Sequence, residues 1–361
     1  MATISTLEQL LTERVTEGTL YEKLPGDRVQ CHACAHRCRI SEGQKGICKV
    51  RYNKNGHLMV PRYYVGAVAV DPVEKKPFFH VLPGSNAFSF GMLGCDYHCD
   101  FCQNWINSQA LRNPASEAEG AYPMDVSADT LVETALKEKC QIITSTYNEP
   151  LITTEWAVDV FKIARRKNLI TSYVSNGNAT PEVLAFIKPW VDLYKVDLKC
   201  FNDQTYRHHI GGTLAPVLDT IQRLKQMDFW LEIVTLVVPG MNDSEKEITN
   251  IAKFIASVSK DIPWHVTAFH PDYKRMDLER TSAASLNLSW QIGKAAGLRY
   301  VYSGNLPGQV GSTEDTQCPG CSKTLIQRKG YKVLKNELGP DGVCPQCSTA
   351  IPGVWRIPNR L

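Results

Sequence analysis

The sequence predicts an α/β fold, a (β/α) barrel or part of one, with a short cysteine-bearing region on either side. Three observations carry this expectation. Between about residues 85 and 305, short β-rich runs alternate with helical patterns, the signature of βα units in a parallel sheet. Each run passes straight into polar residues, and in barrels of this kind chemistry gathers at the C-terminal ends of the strands. Of the 13 cysteines, 4 + 3 + 4 = 11 fall into three clusters, Cys31/Cys34/Cys38/Cys48, Cys95/Cys99/Cys102 and Cys318/Cys321/Cys344/Cys347, placed before, inside and after the βα pattern.

Residues 1–84 form the first region. "MATISTLEQLLTERVTEGTLYEKL" alternates acids and bases with leucines and predicts a helix, with Ser5 and Glu8 in capping-box spacing. It lacks the apolar core of a signal peptide, and no run in the chain approaches the roughly 18–20 apolar residues of a membrane span, so a cytoplasmic protein without a membrane partner is expected. Residues 25–84 hold the first cysteine cluster and a stretch rich in valines and turn residues, suggesting small strands or hairpins. Residues 85–310 carry seven β-rich runs, at 86–93, 141–147, 170–175, 193–199, 230–238, 264–270 and 300–304. Between the second and third, Ile152, Trp156, Val160, Phe161 and Ala164 recur at helical spacing, with Arg165, Arg166 and Lys167 at the C-terminal end that favours cations. Residues 311–361 make a second cysteine module.

Hydrophobic content of 43% with 21% charge describes a chain able to bury a sizeable core, and a net charge of +3 is too small to imply a nucleic-acid partner. Thirteen cysteines without a secretion signal point to metal or catalytic use, not disulfides. Cys140 and Cys200 stand apart and read as buried free thiols.

The middle cluster has the form C-x3-C-x2-C directly after the first strand run. A cubane [4Fe-4S] cluster fully ligated by protein takes four cysteines. Three leave one iron open to a small molecule that chelates through amino and carboxylate groups. The alternative is a zinc site completed by His98. In the C-terminal module, two C-x2-C knuckles can close one tetrahedral centre, zinc ahead of a rubredoxin-like iron, since Ser322 and Ser348 follow the pairs where rubredoxin-type knuckles favour glycine. Cys31, Cys34, Cys38 and Cys48 offer four thiolates for zinc or a second cluster, with His32 or His36 as substitute ligands.

At "GCDYHCDFCQNW" (94–105) the chain resembles the radical SAM enzymes, and the branch it most resembles is the radical SAM enzyme of the AmmeMemoRadiSam system, itself similar to pyruvate formate-lyase activating enzymes. The resemblance extends over roughly 25–356, through "CHACAHRCRISEGQKGICKVR" (31–51), "TYNEP" (146–150), "SNGN" (175–178), "DLK" (197–199), "VVPGMNDS" (237–244), "FHP" (269–271), "YSGNLPG" (302–308) and "IPGVW" (351–355). Ala35 departs from it, standing where proline is expected. The resemblance implies a partial barrel of the radical SAM type and a reduced cluster on Cys95, Cys99 and Cys102. That cluster splits S-adenosylmethionine into methionine and a 5′-deoxyadenosyl radical, fed by a low-potential donor such as flavodoxin or ferredoxin.

The remaining strand ends are then expected at the cosubstrate. Glu149 occupies the place that holds the methionine ammonium, with a helix N-terminal acid as the alternative. Asn176 and Asn178 can meet ribose hydroxyls or the carboxylate, or simply shape a turn with Gly177. Asp197 and Lys199 alternate on the fourth run and share a face, as an ion pair or with Lys199 on the methionine carboxylate. His270 and Asn305 follow the last two runs and reach toward the same mouth, His270 facing substrate or serving structure. "PGMND" around Gly240 reads as a turn near the adenine edge, and Tyr97 and Phe101 as shields of the metal, partners of adenine or plain packing. Substrate hydrogen abstraction is the leading function, on an unidentified substrate together with neighbouring proteins of the same system. The alternatives are an activase acting on a backbone glycine of a protein, and a non-catalytic iron–sulfur or zinc protein for electron transfer or interaction.

Overall fold

The computed structural model describes residues 6–358. Its centre is an eight-stranded sheet of β1 (Ala67–Pro72), β2 (Asn86–Gly91), β3 (Ile142–Ser145), β4 (Ile170–Ser175), β5 (Leu193–Asp197), β6 (Trp230–Val237), β7 (Trp264–Ala268) and β8 (Val301–Gly304). The order is β8-β7-β6-β5-β4-β3-β2-β1, in which β2 to β8 are parallel and β1 runs antiparallel to β2. All seven predicted runs are strands. They are legible because a parallel strand covered on both faces is a continuous apolar run, as in β7, whose five residues are all buried. β1 differs: its residues alternate between half-buried and exposed, the pattern of an edge strand, and the sequence showed only a hairpin-like stretch there.

The helices pack outside the sheet. Thr154–Arg166 buries Trp156, Val160, Phe161 and Ala164 and ends in Arg165 and Arg166, as the spacing predicts. Glu245–Val258 is capped by Ser244, which accepts from the Glu247 N–H, and buries Ile248, Ile251, Ala252 and Ile255 along one stripe. At the N-terminus the helix is Leu7–Thr12, and its capping box is formed by Thr6 and Gln9, one position beyond the expected pair. Glu8 is thereby free to pair with Lys45 at 2.6 Å, and Ser5 lies outside the described residues.

No pairing among the described residues joins β1 to β8, so the barrel is partial. The gap is filled by the segment 73–85 and by the C-terminal module, a sheet of β9 (Thr316–Gln317), β10 (Thr324–Lys329) and β11 (Lys332–Asn336). Phe79, Tyr300 and Tyr302 share a small core with Leu325, Ile326, Leu338 and Ile351. Polar groups lock the seam: Glu232, fully buried on β6, accepts from the N–H groups of Phe79 and His80, both at 3.0 Å, and Arg328 donates to the Phe79 carbonyl at 2.7 Å.

Before β1, two three-stranded antiparallel sheets make up the small strands expected there. Arg51 fixes this region to the barrel: 1% exposed, it meets Glu155 at 2.7 Å and donates to the Ile152 carbonyl at 3.1 Å. Removing one partner of such a pair leaves a buried charge uncompensated. Glu155→Ala should therefore lower stability by about 3–5 kcal/mol in urea unfolding; an unchanged midpoint would contradict the anchoring role.

Candidate functional site

At the end of β2 the chain turns through Gly94, whose φ of 91° is left-handed and whose missing Cβ would stand 2.7 Å from Val50. The turn opens into the cysteine loop. Its backbone is pinned to the turn after β5, His98 N–H to the Ile210 carbonyl at 2.9 Å and Asp100 N–H to the His209 carbonyl at 3.0 Å. Cys95, Cys99 and Cys102 border one cavity of about 370 Å³. The Tyr97 N–H lies 3.4 Å from Cys95 Sγ, and Ser108 Oγ lies 3.2 Å from Cys102 Sγ. Tyr97 and Phe101 are buried and line the same cavity, and the Tyr97 hydroxyl is a buried polar atom with no partner. The His98 ring stands against Gly211, outside the residues lining this cavity, so the geometry does not support it as a fourth zinc ligand.

Asp96 is the residue the sequence reading missed. It is fully buried and accepts from Asn176 Nδ2 at 2.7 Å and from Asn178 Nδ2 at 2.8 Å. The two amides expected at the cosubstrate are thus committed to the cysteine loop, and of the two only Asn176 borders the cavity. Glu149, 2% exposed, accepts from Ser175 Oγ at 2.7 Å, the Asn176 N–H at 2.7 Å and the Leu151 N–H at 3.1 Å. It caps a helical turn, as its alternative anticipated, and also faces the cavity. Burial and the nearby Asp96 push its carboxyl up to about 8, against those three donors.

On β5 the expected pair is a triad. Asp197 hydrogen-bonds Lys195 and meets Lys199 at 3.3 Å, all three bordering the cavity. Burial opposes ionisation of Asp197, but the two ammonium groups outweigh it and hold the carboxyl at about 2. Burial likewise opposes the charge on Lys199, and Asp197, with Cys99 next, raises its pKa. The triad therefore presents one net positive charge beside the thiols. Lys195 extends the K-x-D-x-K alternation by one step and was hidden by the apolar residues around it.

His270 is exposed and lines a second, outer cavity of about 810 Å³, not the inner one. The inner cavity receives His265 instead, buried and 2.7 Å from Glu232. Asn305 borders both cavities. The turn at Gly240 is closed by Asp243 and borders neither cavity, while Asn242 donates to the Lys199 carbonyl at 2.6 Å.

In the C-terminal module, the sulfurs of Cys318, Cys321, Cys344 and Cys347 lie within 4.8 Å of one another, with Cys318–Cys347 at 3.5 Å and Cys321–Cys344 at 3.7 Å. Tetrahedral zinc with Zn–S bonds of about 2.3 Å sets sulfurs about 3.8 Å apart, so the four thiols fit a single ion. Ser322 and Ser348 adopt the left-handed φ values of 61° and 59° that glycine would take more easily. Among the described residues, neither Cys31, Cys34, Cys38 and Cys48 nor Cys95, Cys99 and Cys102 draw their sulfurs this close together. Cys31, Cys34 and Cys48 are buried, and the Ile47 N–H lies 3.5 Å from Cys38 Sγ. Their module docks on the loop after β4, through the Ala35 N–H on the Asn178 carbonyl at 2.9 Å. His32 lies 3.0 Å from Arg37 Nη1, and His36 stands edge-on to Tyr97. Cys140 and Cys200 are buried free thiols, as expected.

Residues 91–252 match the family model described as the Radical SAM superfamily. An uncharacterized protein of Methanocaldococcus jannaschii is 36% identical over 314 residues, 86% of this chain and 91% of its own. The isethionate sulfite-lyase activating enzyme of Oleidesulfovibrio alaskensis is 25% identical over 128 residues, which covers 34% of this chain and 41% of that enzyme. Among solved structures, a domain of pyruvate-formate lyase-activating enzyme from Bacteroides vulgatus is similar at 21% identity and a TM-score of 0.41, over 45% of this chain and 98% of that one.

The C-terminal site makes a measurable demand. Elemental analysis should find one bound ion per chain that survives loss of the other cysteines and disappears in Cys321→Ser combined with Cys344→Ser; retention of the ion there would contradict the assignment.

Proposed function

The chain belongs to the radical SAM superfamily, and on that premise we propose that it cleaves S-adenosylmethionine reductively and abstracts a hydrogen atom from a small substrate in the inner cavity. The observation that carries this is the arrangement of three thiols, and not four, on the wall of a cavity whose other walls hold Glu149 and Lys199. The donor set fits a [4Fe-4S] cluster: three free thiols on one loop, an unpartnered Tyr97 hydroxyl beside them, and no fourth protein ligand within the loop. When bound, the cluster supplies the electron that splits the carbon–sulfur bond and yields the 5′-deoxyadenosyl radical.

The chain's own residues then bind and orient. Glu149 is held rigid by three donors; burial and Asp96 favour its protonated form while the site lacks a counter-charge, and the methionine ammonium supplies that charge, so that the carboxylate accepts from it. Lys199, steadied by Asp197, faces the methionine carboxylate. Asn176 and Asn178 act one step back, fixing the cysteine loop through Asp96. Phe79 and Tyr147 cover the cavity and exclude water from the reacting atoms.

Tyr331, on the turn between β10 and β11, borders both cavities. A module at the rim of the cavity leaves less room for a large protein, which favours a small substrate and the AmmeMemoRadiSam-like reading over that of an activase. It also gives the C-terminal metal a structural task, for which zinc suffices. A low-potential electron donor is the partner this chemistry requires.

Cys95→Ala, Cys99→Ala and Cys102→Ala should each abolish 5′-deoxyadenosine formation in anaerobic assays with a chemical reductant while leaving the C-terminal metal bound. Full turnover in any one of them would overturn the proposal.

A further inference from the structure

The outer cavity lies between two walls. One carries His270, beyond the end of β7, with Arg280 and Asn305; the other is the turn from β10 to β11, with Lys329 and Lys332. Its charged lining is Arg280, Lys329 and Lys332, and no aspartate or glutamate faces it. Among the described residues none of these three cations forms an ion pair; Arg280 donates only to the Asn305 carbonyl, at 2.7 Å. Lys75 and Lys76 line the inner cavity instead, sharing the single carboxylate of Asp71 at 2.7 and 2.8 Å. Glu314 is the other nearby acid, and the N–H groups of Gly308 and Gly330 occupy it at 3.2 and 2.9 Å. The three lining cations against Glu314 beside them leave a local excess of 3 − 1 = +2. A wall of one sign beside a concave space raises the local concentration of ions of the other sign.

The outer cavity adjoins the inner one. Gln103, Asn305 and Tyr331 border both, and Gln103 directly follows Cys102. Asn305 is held at the threshold with a φ of 64°, its side chain accepting from the Tyr331 hydroxyl at 2.9 Å and donating to the Ala268 carbonyl at 3.1 Å. A non-glycine residue kept in the left-handed region by two side-chain bonds is a strained position that the surroundings must maintain.

We propose that the substrate is a small organic anion whose phosphate or carboxylate sits on Arg280, Lys329 and Lys332. Its uncharged end passes Asn305 and Tyr331 toward the thiols. Arg280 offers a planar fork suited to either group, and the lysines add unpaired charge without fixed geometry. The inference rests on the radical reading only for what happens at the inner end; the anion seat stands on its own lining.

The test uses the full chain, anaerobically reconstituted, with phenyl phosphate, phenylacetate and neutral benzyl alcohol as probes in ligand-observed NMR titrations. At least one anion should bind saturably and the alcohol should not. Arg280→Gln combined with Lys332→Gln should weaken the anion at least tenfold, whereas Lys253→Gln, on the outer helix Glu245–Val258, should leave it unchanged. Which of the two anions binds tells phosphate from carboxylate. Equal affinity in the double variant, or no saturable anion binding, overturns the proposal, as does saturable binding of polyglutamate alone, which would make the chamber a seat for acidic polypeptide. Formation of 5′-deoxyadenosine by the unaltered chain without probe tests the radical chemistry separately. Its absence with anion binding intact sinks that reading and leaves the anion seat, and the reverse pattern does the opposite.

Discussion

The buried carboxylate of Asp96 is the joint on which the site depends. A carboxylate taken out of water without compensation is costly, and here two asparagine amides from the turn after β4 supply the compensation. The consequence is geometric. The loop carrying Cys95, Cys99 and Cys102 is tied to the strand end that carries Glu149, because the Asn176 N–H also holds Glu149, and to the N-terminal cysteine module, which the Asn178 carbonyl receives. One acid therefore ties three thiols, Glu149 and an auxiliary module into one frame.

The same rule, that charge is buried only with partners, organises the rest of the interior. Asp197 lies between two lysines, Glu232 takes two backbone N–H groups and His265, and Arg328 is spread over Thr316, the Phe79 carbonyl and the Phe79 ring. These pairings also close the gap in the partial barrel, since Glu232 and Arg328 hold the segment 73–85 from opposite sides. The C-terminal module is consequently part of the cavity wall. Its four cysteines could hold a metal that would stabilise a short sheet, and that sheet presents Tyr331, Lys329 and Lys332 to the open space.

How much of this was legible in the sequence follows from where each signal lies. The seven parallel strands show because burial on both faces writes apolar runs, while β1, solvated on one side, does not. The three thiols show because cysteine is rare and their spacing is tight. Glu232 and His265 do not show, because each is a charged or titratable residue inside a run that mostly reads as core and only the pairing across strands brings them together, while Lys195 lies one step before the Asp197 and Lys199 alternation, among apolar residues. Asp96 carries no signal in the sequence, since its burial depends on asparagines 80 and 82 residues away. His270 was chosen because it ends a run, but β7 stops at Ala268, so His270 falls outside the inner cavity and His265, within the strand, points into it.

In the proposed reaction, three cysteines instead of four leave one iron of the cluster for the cosubstrate. The most direct measurement is electron–nuclear double resonance on the reduced, reconstituted protein with S-adenosylmethionine labelled with nitrogen-15 at its amino group. The account predicts a nitrogen-15 coupling to the cluster that is lost in Cys99→Ala. A cluster spectrum indifferent to the label, with S-adenosylmethionine shown to be bound, would contradict it.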